Sequence, residues 1–154
     1  MAKCAFIGLG VMGYPMAGHL AAKGHELCVY NRTPARAEAW VEAHGGRMAP
    51  TPFDAAKGAE FVMACVGDDD DLREVVTGEA GALHGMDEGA VFVDHTTVSS
   101  RVTEEMAAAA TARGVAFVDA PVSGGQAGAE NGQLVIMCGG PEEAFARAEP
   151  IMGA

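Results

Sequence analysis

Short runs of apolar and β-branched residues alternate along this chain with longer segments in which apolar residues recur every three or four positions. The short runs predict strands at residues 3–7, 26–30, 61–65, 91–94, 115–119 and 134–138, and a further short strand can form at 47–49. The longer segments predict helices at 12–23, 34–44, 69–76, 99–113 and 141–149. This alternation favours an α/β fold with a mostly parallel sheet and helices on both faces.

Proline and glycine mark the ends of the predicted helices. Pro34 and Pro141 stand in first turns, where a missing N–H is tolerated. Gly24, Gly45 and Gly114 follow helices at positions that suit a left-handed cap. A chain of 154 residues has room for one domain of ordinary size, so we expect a single domain over residues 1–154.

The first predicted strand runs directly into a glycine turn with the spacing Gly8-x-Gly10-x-x-Gly13. In Rossmann-like, doubly wound folds the first glycine makes the tight turn, the second admits a dinucleotide pyrophosphate, and the third lets helix and strand pack closely. The phosphates then lie over the free N–H groups of a helix N-terminus. A purely structural turn in another α/β protein is the alternative. The strand before the motif and the amphipathic helix after it favour a dinucleotide site.

The end of the second predicted strand bears on which dinucleotide binds. An NAD site usually places Asp or Glu there to bind the ribose 2′-hydroxyl, whereas this strand continues as Asn31-Arg32-Thr33, with Arg36 one helical turn later. Arg32 can pair with a 2′-phosphate, a contact worth ~1.5–3 kcal/mol, or roughly 10- to 150-fold in affinity. The sequence therefore favours NADP over NAD, the alternative being that Arg32 is a solvated surface residue.

A second glycine segment, Ser123-Gly124-Gly125, follows the strand predicted at 115–119. Ligands of open α/β sheets bind outside the carboxyl ends of the strands, which is where this segment would emerge. Ser123 and the N–H groups of the two glycines can form a concave set of donors for a small carboxylate. No G-x-S-x-G elbow surrounds Ser123, so we do not expect it to be a nucleophile.

Composition narrows the class of protein further. The net charge of −11 argues against non-specific nucleic-acid binding, because nothing would replace the phosphate counterions. The cysteines, Cys4, Cys28, Cys65 and Cys138, form no C-x-x-C pair and lie in or beside apolar runs, which indicates free thiols rather than disulfides or a metal site. We expect no signal peptide before the first strand, since only a short apolar stretch follows Lys3, and no apolar run in the sequence approaches the ~20 residues of a membrane helix. We therefore expect a cytoplasmic protein.

The two glycine segments together resemble those of the β-hydroxyacid dehydrogenase family, which includes 3-hydroxyisobutyrate dehydrogenase, tartronate semialdehyde reductase and the glyoxylate and succinic semialdehyde reductases. Residues 6–13 with Pro15, Met16 and Leu20 match the family's cofactor signature, and residues 119–125 with Gly128, Ala129 and Gly132 match its substrate loop. Asn31-Arg32-Thr33 resembles the branch that prefers NADP. The resemblance covers the whole chain and implies reversible hydride transfer between NADP(H), with NAD possible, and a small β-hydroxyacid or semialdehyde.

The resemblance also implies roles for individual residues. The cofactor would be bound by the glycine turn, the end of the second strand and two later loops, namely by Gly8, Leu9, Gly10, Val11, Met12, Gly13, Asn31, Arg32, Thr33, Cys65, Val66, Gly67, Asp68 and Thr96. The substrate carboxylate would be bound by Ser123, Gly124 and Gly125, with Thr96 nearby.

Several residues depart from the family pattern. His95 stands where the family has a small or apolar residue, and Gln133 where Thr or Asn is common. His95 follows Asp94, but adjacent strand residues point to opposite faces, so we expect no acid–base pair. The acidic run 68–71 is explained most simply as a solvated helix N-terminus.

A larger departure concerns the proton donor. The family's donor is a lysine on a helix beyond this domain, followed by an all-helical second domain, and Lys3, Lys23 and Lys57 match no such motif. We therefore expect no catalytic residue in this chain, weak cofactor binding and no turnover by the chain alone, and a full-length parent that is a homo-oligomer. A non-catalytic dinucleotide-sensing module and a different Rossmann enzyme, such as a methyltransferase or epimerase, are the alternatives. The segment 119–125 argues against both.

Overall fold

The central element is a parallel six-stranded sheet. The computed structural model describes residues 2–96, 99–120, 122–123, 135–136 and 151. The strands are β1 (Lys3–Ile7), β2 (Glu26–Tyr30), β3 (Arg47–Met48), β4 (Phe61–Ala64), β5 (Val91–Asp94) and β6 (Ala116–Asp119), and they lie in the order β3-β2-β1-β4-β5-β6. All neighbours pair in parallel, which confirms the predicted Rossmann-like, doubly wound class.

Helices cover both faces of this sheet. They are α1 (Gly13–Ala22), α2 (Pro34–His44), α3 (Pro52–Ala56), α4 (Asp69–Thr77) and α5 (Ser100–Ala112), with a short 3-10 helix at Ala82–Gly85. No helix in the part of the chain that the structure describes is long and apolar enough to cross a membrane.

Each face of the sheet has its own cluster of buried apolar residues. Successive side chains of a strand point to opposite faces, so alternate residues pack in different clusters. On β1, Cys4 and Phe6 pack in the cluster that includes Trp40 of α2, while Ala5 and Ile7 pack with Leu72 of α4. With both faces covered, the strands read as continuous apolar runs rather than as alternating ones.

Most predicted boundaries agree with the structure to within one residue. The glycines predicted to end helices, Gly24, Gly45 and Gly114, all adopt positive φ angles, between 73° and 89°. The helix α3 was not predicted, because it is only five residues long and carries little periodic signal. The helix predicted at 141–149 lies outside the described residues.

One predicted strand does not join the parallel sheet. Of residues 134–138, the structure describes Val135–Ile136 as β8, which pairs antiparallel with β7 (Val122–Ser123) in a separate two-stranded sheet. The strand β7 follows the end of β6 by three positions, and a parallel neighbour requires a crossover of about a dozen residues or more. The chain therefore leaves the parallel sheet at this point.

Candidate functional site

A cleft of about 410 Å³ opens at the carboxyl edge of the sheet, against β1, β2 and β4. The strand order reverses between β1 and β4, so the loops that leave these strands diverge and the space between them stays open. Of the residues predicted to bind a cofactor, this cleft is lined by Gly8, Gly10, Val11, Met12, Gly13, Asn31, Arg32, Thr33, Cys65, Val66 and Gly67.

The glycine turn can form only because two of its glycines lack a side chain. Gly8 has a φ of +98°, and a Cβ there would lie 2.3 Å from the carbonyl oxygen of Cys65. A Cβ on Gly13 would lie 1.9 Å from the carbonyl oxygen of Gly8. The absence of side chains on Gly8 and Gly13 therefore lets the start of α1 lie close to the ends of β1 and β4.

Gly10 differs from the other two glycines. No atom of the described residues lies within 4 Å of a Cβ built on it, so no contact in that part of the chain requires glycine at this position. Among the described helices, α1 and α2 have no side-chain cap at their N-termini, whereas Thr51, Asp68 and Ser99 cap α3, α4 and α5. Uncapped N–H groups beside an open approach suit an anion such as a pyrophosphate.

Hydrogen bonds on both sides of Leu9 fix the turn. The N–H of Leu9 donates to Oδ1 of Asn31 at 2.9 Å, and Nε of Arg36 donates to the carbonyl oxygen of Leu9 at 2.6 Å. The guanidinium of Arg36 also stacks on the ring of Tyr14, 4.6 Å from its centroid. Asn31 and Arg36 therefore position the turn, and the role of Arg36 was not predicted because its partner is a distant backbone atom.

Three predicted cofactor residues do not line the cleft. The side chain of Leu9 is buried in the core. Thr96 is buried too, and its Oγ1 accepts the N–H of Val66 at 3.0 Å, which holds the loop after β4. Asp68 caps α4 by accepting the N–H of Asp71 at 2.9 Å. In this structure Thr96 and Asp68 shape the loops beside the cleft.

The acidic run at the start of α4 makes ion pairs and caps, as expected of a helix N-terminus. Asp69 accepts hydrogen bonds from the N–H and Oγ of Ser99, and these lower the pKa of its carboxyl. Asp70 lies 3.3 Å from Arg73. Asp71, however, lines the cleft together with Glu74 and faces Arg32. The second strand lacks a carboxylate at its end, but α4 brings two to the same place. The sequence places the acidic run that contains Asp71 beside the expected cofactor groove but assigns it no role there, and Glu74 was not predicted.

The substrate loop is described only in part. Ser123 lies in β7, where it pairs with Val135, and nothing is described of its side chain. Gly124 and Gly125 lie outside the described residues. Thr96, the other predicted substrate residue, is buried at the carboxyl end of β5.

Two buried titratable residues at the end of β5 have opposite pKa shifts. Burial raises the pKa of Asp94 to about 6. Its Oδ1 accepts the N–H of Thr96 at 2.9 Å, and its Oδ2 has no hydrogen-bond partner among the described residues. Burial lowers the pKa of His95 to about 4, and its Nδ1 lies 2.8 Å from the carbonyl oxygen of Ala120. His95 thus packs toward β6 as a neutral imidazole. Burial also raises the pKa of Cys65 to about 11, so this thiol stays protonated at neutral pH.

The fold, the strand-order reversal and the uncapped glycine turn together define a dinucleotide-binding Rossmann domain. A family model described as the NAD binding domain of 6-phosphogluconate dehydrogenase matches residues 3–154, and this chain belongs to that family.

Relatives and solved structures confirm the resemblance drawn from the two glycine segments. An uncharacterized oxidoreductase of Shewanella frigidimarina is 59% identical over 154 residues, which are 100% of this chain and 53% of that protein. A probable 3-hydroxyisobutyrate dehydrogenase-like protein of Arabidopsis thaliana is 40% identical over 97% of this chain and 45% of its own length. The chain thus spans about half the length of the curated relatives it matches.

Two solved structures superpose closely on this chain. The 3-hydroxyisobutyrate dehydrogenase of Mycobacterium tuberculosis with L-serine gives a TM-score of 0.93 at 32% identity, over 99% of this chain and 51% of that one. A protein named Psf3, in complex with NADP+ and 2-OPP, gives a TM-score of 0.91 at 27% identity, over 97% of this chain and 53% of that one.

Alanine substitution should separate the two kinds of glycine. For Gly10→Ala we expect a free energy of unfolding within about 0.5 kcal/mol of the wild type, and an affinity for NAD(P)H at least about ten-fold lower because the methyl group blocks the pyrophosphate. For Gly13→Ala, whose methyl group would meet backbone, we expect a loss of about 1–3 kcal/mol in stability. Urea unfolding and calorimetric titration measure both, and a Gly10→Ala protein of unchanged affinity would contradict this interpretation.

The shifts at Asp94 and His95 predict compensating effects of pH on stability. The raised pKa of Asp94 lowers the free energy of unfolding above pH 6, and this destabilisation is relieved as the pH falls from 6 toward 3.8. The lowered pKa of His95 acts in the opposite direction, because the folded state loses stability as the pH falls from 6.5 to 4. Asp94→Asn removes the first effect only. We expect it to raise the free energy of unfolding at pH 8 by about 1–3 kcal/mol.

The same variant should lose stability more steeply than the wild type between pH 6.5 and 4, because the titration of His95 is then no longer offset. Urea unfolding at several pH values measures this, with Asp87→Asn, at an exposed position, as the control. Parallel stability curves for Asp94→Asn and the wild type would show that Asp94 has no raised pKa.

Proposed function

We propose that this chain is the cofactor domain of an NADP-dependent β-hydroxyacid dehydrogenase, similar to 3-hydroxyisobutyrate dehydrogenase. The proposed reaction is a reversible hydride transfer between NADP(H) and a small β-hydroxyacid or semialdehyde. The relatives named as 3-hydroxyisobutyrate dehydrogenases support the substrate class. The observation that carries the cofactor assignment is Arg32, which lies on the cleft wall directly after β2, where that strand offers no carboxylate.

The backbone of the glycine turn suits the pyrophosphate. Gly10 leaves its approach open, and residues 11–13 offer backbone N–H groups at the uncapped start of α1. The N–H of Tyr14 donates to the carbonyl oxygen of Gly10, and Pro15 has no N–H. The nicotinamide group would supply or accept the hydride when bound. The chain's own contribution is to orient that group, through a turn that Asn31 and Arg36 hold at Leu9.

The 2′-phosphate would be bound beside β2. The side chain of Arg32 is 66% exposed, so its guanidinium can turn to a ligand in the cleft. Its planar fork can donate two hydrogen bonds to one phosphate. The backbone N–H and the hydroxyl of the exposed Thr33 lie at the adjacent position. The complex of Psf3 with NADP+ supports this choice of cofactor by analogy.

The substrate carboxylate is assigned to the second glycine segment, Ser123-Gly124-Gly125, with Thr96 near the reacting carbon. Thr96 lies at the end of β5 and is hydrogen-bonded to the loop after β4, which borders the cleft. This assignment rests on the family resemblance and on the position of β7 directly after β6.

Reversal of the charge at Arg32 tests the cofactor assignment. We expect Arg32→Asp to lower the affinity for NADPH by roughly 10- to 150-fold, because a charge-assisted contact to the phosphate is lost, and to change the affinity for NADH far less. Calorimetric titration with both cofactors measures this. Arg47→Asp, an equal change of charge at an exposed position on β3 away from the cleft, is the matched control. Unchanged NADPH affinity in Arg32→Asp would overturn the assignment.

A second experiment tests the expectation that this chain by itself lacks the proton donor for the reaction. None of Lys3, Lys23 and Lys57 lines the cleft, and a carbonyl needs a proton as the hydride arrives. We therefore expect this chain to bind NADPH yet to oxidise none of it measurably in the presence of short semialdehydes, as followed by absorbance. Robust reduction by this chain would show that it contains its own general acid. Full-length protein that binds NADPH but fails with every short semialdehyde and β-hydroxyacid would favour a non-catalytic sensing module.

A further inference from the structure

Arg32 already has partners in this structure. Its Nη2 lies 2.5 Å from Oδ1 of Asp71 and 3.4 Å from Oε2 of Glu74. All three residues line the cleft, Arg32 from the loop after β2 and the two acids from α4. The ion pair therefore lies at the part of the cleft where a cofactor bound along β2 would be recognised.

The two acids differ in how firmly the fold holds them. Asp71 is in the first turn of α4, where the helix dipole stabilises a negative charge, and its side chain is only 28% exposed. Its carboxylate fills the space beside Gly67, because a Cβ on that glycine would lie 2.6 Å from Oδ2 of Asp71. Glu74, one turn later, is 71% exposed and its contact is longer. Asp71 is thus the fixed partner and Glu74 the auxiliary one.

We propose that Asp71 is a specificity-determining residue, which competes with the 2′-phosphate of NADP for Arg32 and so narrows the preference for NADP over NAD. The inference rests on the proposed function, since it takes the cleft to bind these cofactors. A 2′-phosphate must draw Arg32 away from Asp71 and then lie near two carboxylates. A 2′-hydroxyl carries no charge, so NAD can enter with the ion pair intact.

The expected effect is moderate, because Arg32 is largely exposed. Solvent-exposed ion pairs contribute little, at most about five-fold in affinity. Removal of the repulsion between carboxylate and phosphate adds to this. We expect Asp71→Asn to increase the affinity for NADP about three- to ten-fold while the affinity for NAD stays within about two-fold.

Asp70→Asn is the matched control. Asp70 stands in the same first turn of α4 and its loss changes the net charge and the helix-dipole interaction equally. Its side chain is 92% exposed, it pairs with Arg73, and it does not line the cleft. We expect Asp70→Asn to leave the ratio of NADP to NAD affinity unchanged. Equal shifts of that ratio in the two variants would overturn the proposal, because a general field effect would then explain both.

A double-mutant cycle with Arg32→Ala separates competition from simple repulsion. If Asp71 acts by competing for Arg32, most of the gain from Asp71→Asn should disappear in the Arg32→Ala background. A gain that persists in full would show that Asp71 acts directly on the phosphate, and would overturn the competition. Failure of the wild-type chain to bind either dinucleotide would instead overturn the proposed function, and this inference with it. Thermal unfolding of each variant verifies that it is folded.

Discussion

The structure depends on two close approaches between backbone segments, at Gly8 and at Gly13, that leave no room for a side chain. The positions at which a Cβ would lie on Gly8 and Gly13 are 2.3 Å and 1.9 Å from carbonyl oxygens, on Cys65 and Gly8 respectively. Through them the ends of β1 and β4 and the start of α1 meet at one place. Side chains at these two positions would force the elements apart and displace the glycine turn that lines the cleft.

The sequence reveals most of the fold because the strands and helices are locally encoded. The parallel strands are continuous apolar runs, and glycines with positive φ end the helices where periodicity stops. The short helix α3 could not be predicted, since five residues give no period to detect. The strand β8 pairs antiparallel with β7 in a separate sheet, and the apolar pattern alone does not show which strand a given run will pair with.

The candidate site divides in a similar way. The glycine turn, Arg32 and the loop after β4 are contiguous motifs, and the structure places them on one cleft. Asp71, Glu74 and Arg36 are brought there by tertiary packing, so their spacing along the chain carries no signal. Asn31 and Thr96 also differ from the sequence prediction, which assigned both to the cofactor. In the structure their side chains accept hydrogen bonds from backbone N–H groups beside the cleft.

The uncapped start of α1 has a consequence for how such a domain can diversify. A cradle made of main-chain N–H groups persists through almost any exchange of side chains, provided that the glycines remain. Under the proposed function, selectivity would instead depend on a few charged residues at the rim, such as the largely exposed Arg32. On this proposal, related domains could change their hydride carrier by substitutions on the surface while the fold and the main-chain phosphate site are inherited unchanged.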